Sequence, residues 1–193
     1  MATATVPPRP AAPGIHDPRT SGHAGHGITH LSLLRDLDLA GFRLARTAGH
    51  TPAAERAVGA FSSLGEHGAL WLLVGAAGAA IDRPRRAEWG RAAAVVAATY
   101  ALNTALKFAV RRRRPRVEGL PPLVGTPTEM SFPSAHAATS FCAAGQYARL
   151  GVPAAPLYAL AAAMSASRLY LGVHWPSDIA GGAALGATIG AAA

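Results

Sequence analysis

The chain is 193 residues long, 50% hydrophobic and only 15% charged, with 18 Lys and Arg against 10 Asp and Glu for a formal net charge of +8. A single domain's length of so apolar and charge-poor a chain excludes an ordinary soluble globule and points to a polytopic membrane protein. The basic excess would suit nucleic acid in a soluble chain, but the arginines sit in short loops between apolar segments without interleaved aromatics, which excludes a nucleic-acid partner and fits membrane topology and anionic headgroups.

Residues 1–30, rich in Pro, Ala, Gly and Thr, predict a disordered tail with no apolar stretch of the secretory-signal kind. Its His16, His23, His26 and His30 lack Cys or carboxylate partners and make a weak metal site. Residues 31–65 are expected to form amphipathic interfacial helices. From Leu31 to about Ala48, Leu34, Leu37, Gly41, Leu44 and Ala45 share one face while Arg35, Asp36, Arg43 and Arg46 share the other. That pattern suits a helix lying in the membrane plane or one packed on its own domain. A second helix is predicted from Pro52, a favourable first-turn residue after Thr51, to near Leu64.

Residues 66–193 predict the membrane-embedded domain, with five spans over about 66–81, 90–110, 134–150, 153–173 and 177–192. The expected fold is therefore all-α, a helix bundle of about five spans behind an N-terminal amphipathic region. Arg111 to Arg114 and Arg116 are the densest basic run, and taken singly Arg111, Arg112, Arg113 and Arg116 read as a solvated patch at the membrane border. The loop 117–132 is turn-rich and long enough to cap a site, with Glu129 and Met130 within reach of a headgroup. Cys142 is alone, so no internal disulfide exists. Gly182, Gly186 and Gly190 form a small-residue ridge that serves either bundle packing, its commoner use, or a homo-oligomer contact.

Ionisable residues concentrate at the ends of these spans, where they are costly and mark function. Lys107 precedes Arg114-Pro115 by six intervening residues, Pro133-Ser134-Ala135-His136 opens the third span, and Ser167-Arg168 precedes His174 and then Asp178. Antiparallel spans bring all of these to one membrane face, a check that the spacing itself does not use.

The three blocks resemble the phosphatidic acid phosphatase type 2 superfamily, whose pattern is Lys-x6-Arg-Pro, Pro-Ser-Gly-His and Ser-Arg-x5-His-x3-Asp; order and spacing match, with Ala135 where the family has Gly. The resemblance implies a metal-free, cofactor-free phosphatase acting on a lipid-linked phosphate through a phosphohistidine. It makes His174 the nucleophile, Asp178 the carboxylate that orients it, and His136 the general acid and then base. Lys107, Arg114, Arg168, Ser134 and the Ala135 amide become the phosphate cage. Asp82-Arg83-Pro84-Arg85-Arg86-Ala87-Glu88-Trp89 and Ser131-Phe132-Pro133-Ser134-Ala135-His136-Ala137 look most like a small actinobacterial branch of the superfamily. That implies decaprenylphosphoryl-5-phosphoribose, a cell-wall arabinan precursor, as substrate, with undecaprenyl diphosphate, phosphatidylglycerol phosphate and phosphatidic acid as alternatives. A multi-pass location in the cell (inner) membrane follows. A vanadate-dependent haloperoxidase shares such an anion cage, but the spans and short length count against it; the His174–Asp178 pair counts against a nonenzymatic lipid-binding protein.

Overall fold

The computed structural model describes residues 30–193, so the tail and its histidine tract lie outside the described residues save for the backbone at position 30. Among the described residues there are seven α-helices and no β-strand: α1 His30–Thr47, α2 Pro52–Ser63, α3 Ala69–Ile81, α4 Arg86–Val110, α5 Ala135–Arg149, α6 Ala154–Tyr170 and α7 Pro176–Ala192. The two N-terminal helices and all five apolar ones appear, with boundaries moved by local backbone chemistry. Thr51 caps α2, its hydroxyl accepting the Ala54 amide at 3.1 Å, with Pro52 in the first turn. α3 begins at Ala69 rather than Glu66 because a 3₁₀ turn, Glu66–Gly68, intervenes, with His67 and Gly68 both left-handed at φ 55° and 73°. The axes of α2 and α3 consequently differ by 45°.

α5 is the hub. Its run of Ala, Ser, Thr and Cys gives a thin helix that α4, α6 and α7 all approach. On α7, a Cβ at Gly182 or Gly186 would overlap the carbonyl oxygen of Ser134 or Ala138, and one at Gly190 would lie 2.9 Å from that of Cys142. The glycine ridge is therefore consumed inside the bundle, backbone against backbone, and offers no face to a second copy. At the other end of α5 the core is aromatic. Trp71 donates its indole N–H to Ser140 Oγ at 2.8 Å, and Tyr147 donates its hydroxyl to the Trp71 carbonyl at 2.6 Å.

The outer surface of the bundle is apolar: Leu73 and Ile81 on α3 and Leu102, Phe108 and Val110 on α4 are all exposed. A surface of that kind is what lipid, rather than water, tolerates. By length and composition one helical segment, Arg83–Val110, is sufficient to cross a membrane alone, and the bent α2–α3 pair would make a second. The other three apolar helices, α5, α6 and α7, have 15 to 17 residues.

α1 is amphipathic as expected, with one residue placed otherwise. Leu34, Leu37 and Leu44 face outward, as a helix bedded in an interface requires, but the face turned to the protein carries Asp38, Phe42 and Arg46, all buried. Arg46, assigned to the solvent side by its position in the pattern, instead donates to the carbonyls of Pro121 at 2.8 Å and Tyr170 at 3.2 Å. Leu34, Leu37 and Leu44 thus point away from the bundle, as do Arg35, Asp36 and Arg43, while the inward stripe of Asp38, Phe42 and Arg46 is part polar and part aromatic.

Candidate active site

Lys107, Arg114, Ala135, His136, Arg168 and His174 line one cavity of about 150 Å³. Three helices, α4, α5 and α6, and two connecting segments bring them together. α4 stops after Lys107 because Arg111 takes a left-handed φ of 54°, its amide closing back on the Lys107 carbonyl at 2.9 Å. The chain then runs extended, tied to the cap loop by Arg114 N–H on the Glu129 carbonyl (3.1 Å) and Ser131 N–H on the Arg112 carbonyl (2.8 Å). Extended backbone alternates sides, so Arg112 and Arg114 turn inward while Arg111 and Arg113 are exposed. Two of the four consecutive arginines are therefore structural or functional, not solvated.

His174 is 2% exposed, in the turn between α6 and α7. Two neighbours fix its tautomer. A guanidinium only donates, and Arg114 Nη1 lies 3.3 Å from His174 Nε2; a carboxylate only accepts, and Asp178 Oδ2 lies 3.4 Å from His174 Nδ1. The proton therefore sits on Nδ1, and Nε2 presents its lone pair. Burial, followed by the charges of Arg114, Lys107 and Arg168, holds this imidazole well below the usual histidine range. At neutral pH it is uncharged, the form that can attack phosphorus. Arg114 is itself anchored, with Nε on the Thr128 carbonyl at 2.8 Å and Nη1 on the Val173 carbonyl at 2.7 Å. Burial pushes its pKa down from the ordinary arginine value, with Asp178 and Glu129 opposing.

The other predicted residues divide. Arg168, buried, gives Nη1 to Ser62 Oγ at 2.7 Å, while its Nε has no protein partner. Ala135 is the first residue of α5, where an amide has no intrahelical acceptor and the helix dipole is positive. Its φ is not positive, so Ala fills a position at which the family has Gly without backbone strain. Lys107 lines the cavity, but Nζ donates to the carbonyls of Pro133 (2.7 Å), Ser131 (3.0 Å) and Met130 (3.4 Å), so it pins the cap loop and contributes charge more than direct bonds. Ser134 does not line the cavity; it is fully buried, caps α5 by accepting the Ala137 amide at 3.5 Å, and gives its own N–H to the Asp178 carbonyl at 3.0 Å. Glu129 is also diverted, pairing with Arg116 at 2.5 Å on the surface.

His136 shows what the sequence does not reveal. Its Nε2 lies 3.0 Å from the Ser62 carbonyl, an acceptor, so Nε2 carries the proton and Nδ1 is the nitrogen left for chemistry. Ser62 also bonds Ser167 Oγ at 3.1 Å, so the end of α2 organises both His136 and the Ser167-Arg168 pair. Nothing in Phe61-Ser62-Ser63 distinguishes this serine before folding. Glu66, His67 and Tyr100 join the same cavity, with His67 Nδ1 2.7 Å from the Tyr100 hydroxyl.

Comparison with known proteins bears on family and fold. The PAP2 superfamily profile matches residues 88–193. Decaprenylphosphoryl-5-phosphoribose phosphatase from Mycobacterium tuberculosis is 42% identical over 133 residues, covering 67% of this chain and 73% of that protein. The protein of the same name from Mycolicibacterium smegmatis is 42% identical over 124 residues, covering 64% and 68%. Among solved structures, Aquifex aeolicus LpxE superposes with a TM-score of 0.68 at 26% identity, covering 80% of this chain and 92% of that one. A PAP2-type phosphatidylglycerolphosphate phosphatase from Bacillus subtilis has the same fold, with a TM-score of 0.64 at 23% identity over 83% and 84% of the two chains. An all-helical, membrane-associated phosphatase of lipid-linked phosphates is the class that fold, site and likeness define. The chain belongs to the PAP2 superfamily.

Proposed function

We propose that this chain hydrolyses the phosphomonoester of decaprenylphosphoryl-5-phosphoribose, and that it does so as a multi-pass protein of the cell membrane with α3 to α7 crossing the bilayer and α1 and α2 at its surface. The 42% identity to two phosphatases named for that substrate carries the reading of specificity. The cavity fits it chemically. At about 150 Å³ it admits a phosphorylated headgroup and leaves a prenyl chain outside, along the apolar flank of α4.

In this reading the His174 Nε2 lone pair attacks phosphorus while Arg114 and Arg168 hold the nonbridging oxygens and the Ala135 amide at the start of α5 adds a neutral donor. The P–O bond to the sugar breaks, and the departing alkoxide takes a proton from His136 Nδ1. A phosphate ester that arrives carrying a proton, as about half do near pH 6, supplies it. Water then attacks the phosphohistidine, His136 Nδ1 accepts the water's proton, and the N–P bond breaks to release neutral His174 and inorganic phosphate, which carries that proton away from His136. Ser134 serves this cage through the cap of α5, and Lys107 through its charge.

Two measurements test the reading. Phosphate release by the purified protein, in EDTA and at equal surface fraction of lipid, is expected to favour the phosphoribosyl lipid over undecaprenyl diphosphate, phosphatidylglycerol phosphate and phosphatidic acid. A preference above about tenfold, roughly 1.4 kcal/mol in transition-state binding, for any of the others would defeat the specific assignment, and a magnesium requirement would defeat the metal-free mechanism. His136→Ala is expected to cost about 10²- to 10⁴-fold with an alkoxide leaving group but much less for phosphorylation of His174 by nitrophenyl phosphate, whose leaving group needs no proton. Equal losses with both would remove His136 from the acid role.

A further inference from the structure

The network behind Asp178 reaches further than the motif. Asp178 is fully buried, and beyond His174 its oxygens are held by the Trp175 N–H on Oδ2 (2.8 Å) and by Arg112 Nη1 on Oδ1 (2.8 Å). Arg112 uses its other terminal nitrogen on a second carboxylate, Asp38 of α1, with Nη2 to Oδ2 at 2.6 Å. Asp38 in turn accepts both the N–H of Ser177 (2.8 Å, Oδ1) and its hydroxyl (2.6 Å, Oδ2), capping the first turn of α7 from another helix. Burial alone would push the Asp38 carboxyl up, but the bonds from Ser177 and Arg112 hold it below the usual carboxylate range.

α1 grips the same segment with its apolar atoms. The Phe42 and Trp175 rings lie 5.5 Å apart, Arg112 stands 5.7 Å from the centre of the Trp175 ring, and Pro176 packs so closely on Gly41 that a Cβ there would come within 2.8 Å of its ring carbon. Every residue from Trp175 to Asp178 except Asp178 itself is thus touched by α1 or by Arg112's stacking, and Asp178 is reached through Arg112. A buried carboxylate beside a neutral imidazole requires a cation to stay charged and directional; Arg112 meets that requirement, and Asp38 fixes where Arg112 can stand. A guanidinium spans two carboxylates with separate nitrogens of a rigid fork, a fixed spacing that the single nitrogen of an ammonium does not impose.

We infer that Arg112 and Asp38 are positioning residues for the nucleophile: acting through Asp178, they set the orientation of His174, so that α1 is part of the catalytic apparatus. Neither needs to touch substrate. This rests on the phosphatase reading of the site, and the test is arranged so that the two can fail separately.

The full chain, purified in detergent, is compared as wild type, Arg112→Gln, Arg112→Lys, Asp38→Asn, Asp178→Asn and the double variant Arg112→Gln/Asp178→Asn, with melting and gel filtration reporting the fold. Arg112→Gln and Asp38→Asn are expected to lower kcat by up to about 10- to 100-fold, the range for outer partners of a reacting group's own ligand, with the smaller loss at Asp38, one bond further out, and with KM within about threefold. Arg112→Lys restores part of the loss. In the Asp178→Asn background, Arg112→Gln adds less than about twofold, because two changes in one unit are not additive. Vanadate, a phosphate-like anion able to take a histidine nitrogen as its fifth ligand, is titrated in parallel by calorimetry: Arg112→Gln weakens its binding in the wild-type background and not in the Asp178→Asn one. Multiplicative losses, or an Arg112→Gln protein that is folded and keeps its kcat and vanadate affinity, would overturn the inference. Should Arg112→Gln not fold, Arg112→Lys and Asp38→Asn decide it by the same two readouts. A wild type that releases phosphate from no lipid would instead refute the phosphatase reading, and the vanadate titrations would still judge the positioning role.

Discussion

His174→Ala is expected to lower phosphate release by at least about 10³-fold while the purified protein melts as wild type does, since a covalent nucleophile has no substitute in the cage. The ring stands in a turn, outside any helix ladder, and its loss leaves Asp178 still bonded to Arg112 and to the Trp175 amide. Both arginines facing the substrate also remain, so binding is expected to survive and the loss to fall on kcat. Trapping with labelled substrate should give an acid-labile phosphoprotein in wild type and none in the variant. Residual turnover above about 1% in a folded sample, far more than loss of a nucleophile allows, would remove His174 from the role.

The largest effect on stability is expected at Gly186. A side chain there must displace the backbone carbonyl of Ala138 in the most buried helix of the bundle, and backbone that is hydrogen-bonded along α5 cannot step aside. Gly186→Leu is expected to exceed the ~4 kcal/mol that marks exceptional substitutions and to yield aggregated protein. Gly90→Ala supplies the contrast. Nothing lies within 4 Å of the new methyl, and α4 gains a better helix former, so stability is expected to hold or rise by up to about 1 kcal/mol. Monodispersity and melting temperature in the same detergent check both; a well-folded Gly186→Leu would mean that α5 and α7 do not pack as described.

What could be read beforehand follows from which physical signals are local. The three spaced blocks and the apolar helices are local: spacing fixes which residues reach a helix end, and apolar length fixes the helices. α1 was legible as an amphipathic helix, but period identifies faces without saying which polar residues turn inward, so Arg46 was placed with the solvent. In water the apolar stripe turns in; at an interface Leu34, Leu37 and Leu44 can face lipid while Asp38 and Arg46 bond to protein. Arg112 was missed for a related reason. Four consecutive arginines look alike until the left-handed Arg111 ends α4 and the extended stretch after it imposes a two-residue alternation, which pairs Arg112 with the motif's Arg114. Ser62 carried no signal, because its contact is a backbone carbonyl offered to His136 from 74 residues away. The glycine ridge was legible as a site of close approach, but its partner was not, since only the fold shows that α5 meets it.

The inward bonds of α1 bear on where the working unit of this enzyme begins. The superfamily profile starts at residue 88, and every residue of the three blocks follows it. Yet a chain trimmed to the apolar helices would leave Arg112 with one carboxylate instead of two, Ser177 uncapped and Trp175 without the ring it packs against. Its chemistry would be intact on paper and loosely held in practice. If Asp38 positions Arg112 as inferred above, the smallest competent version of the protein is expected to start ahead of Asp38, a boundary that a truncation series with phosphate release as its readout would locate.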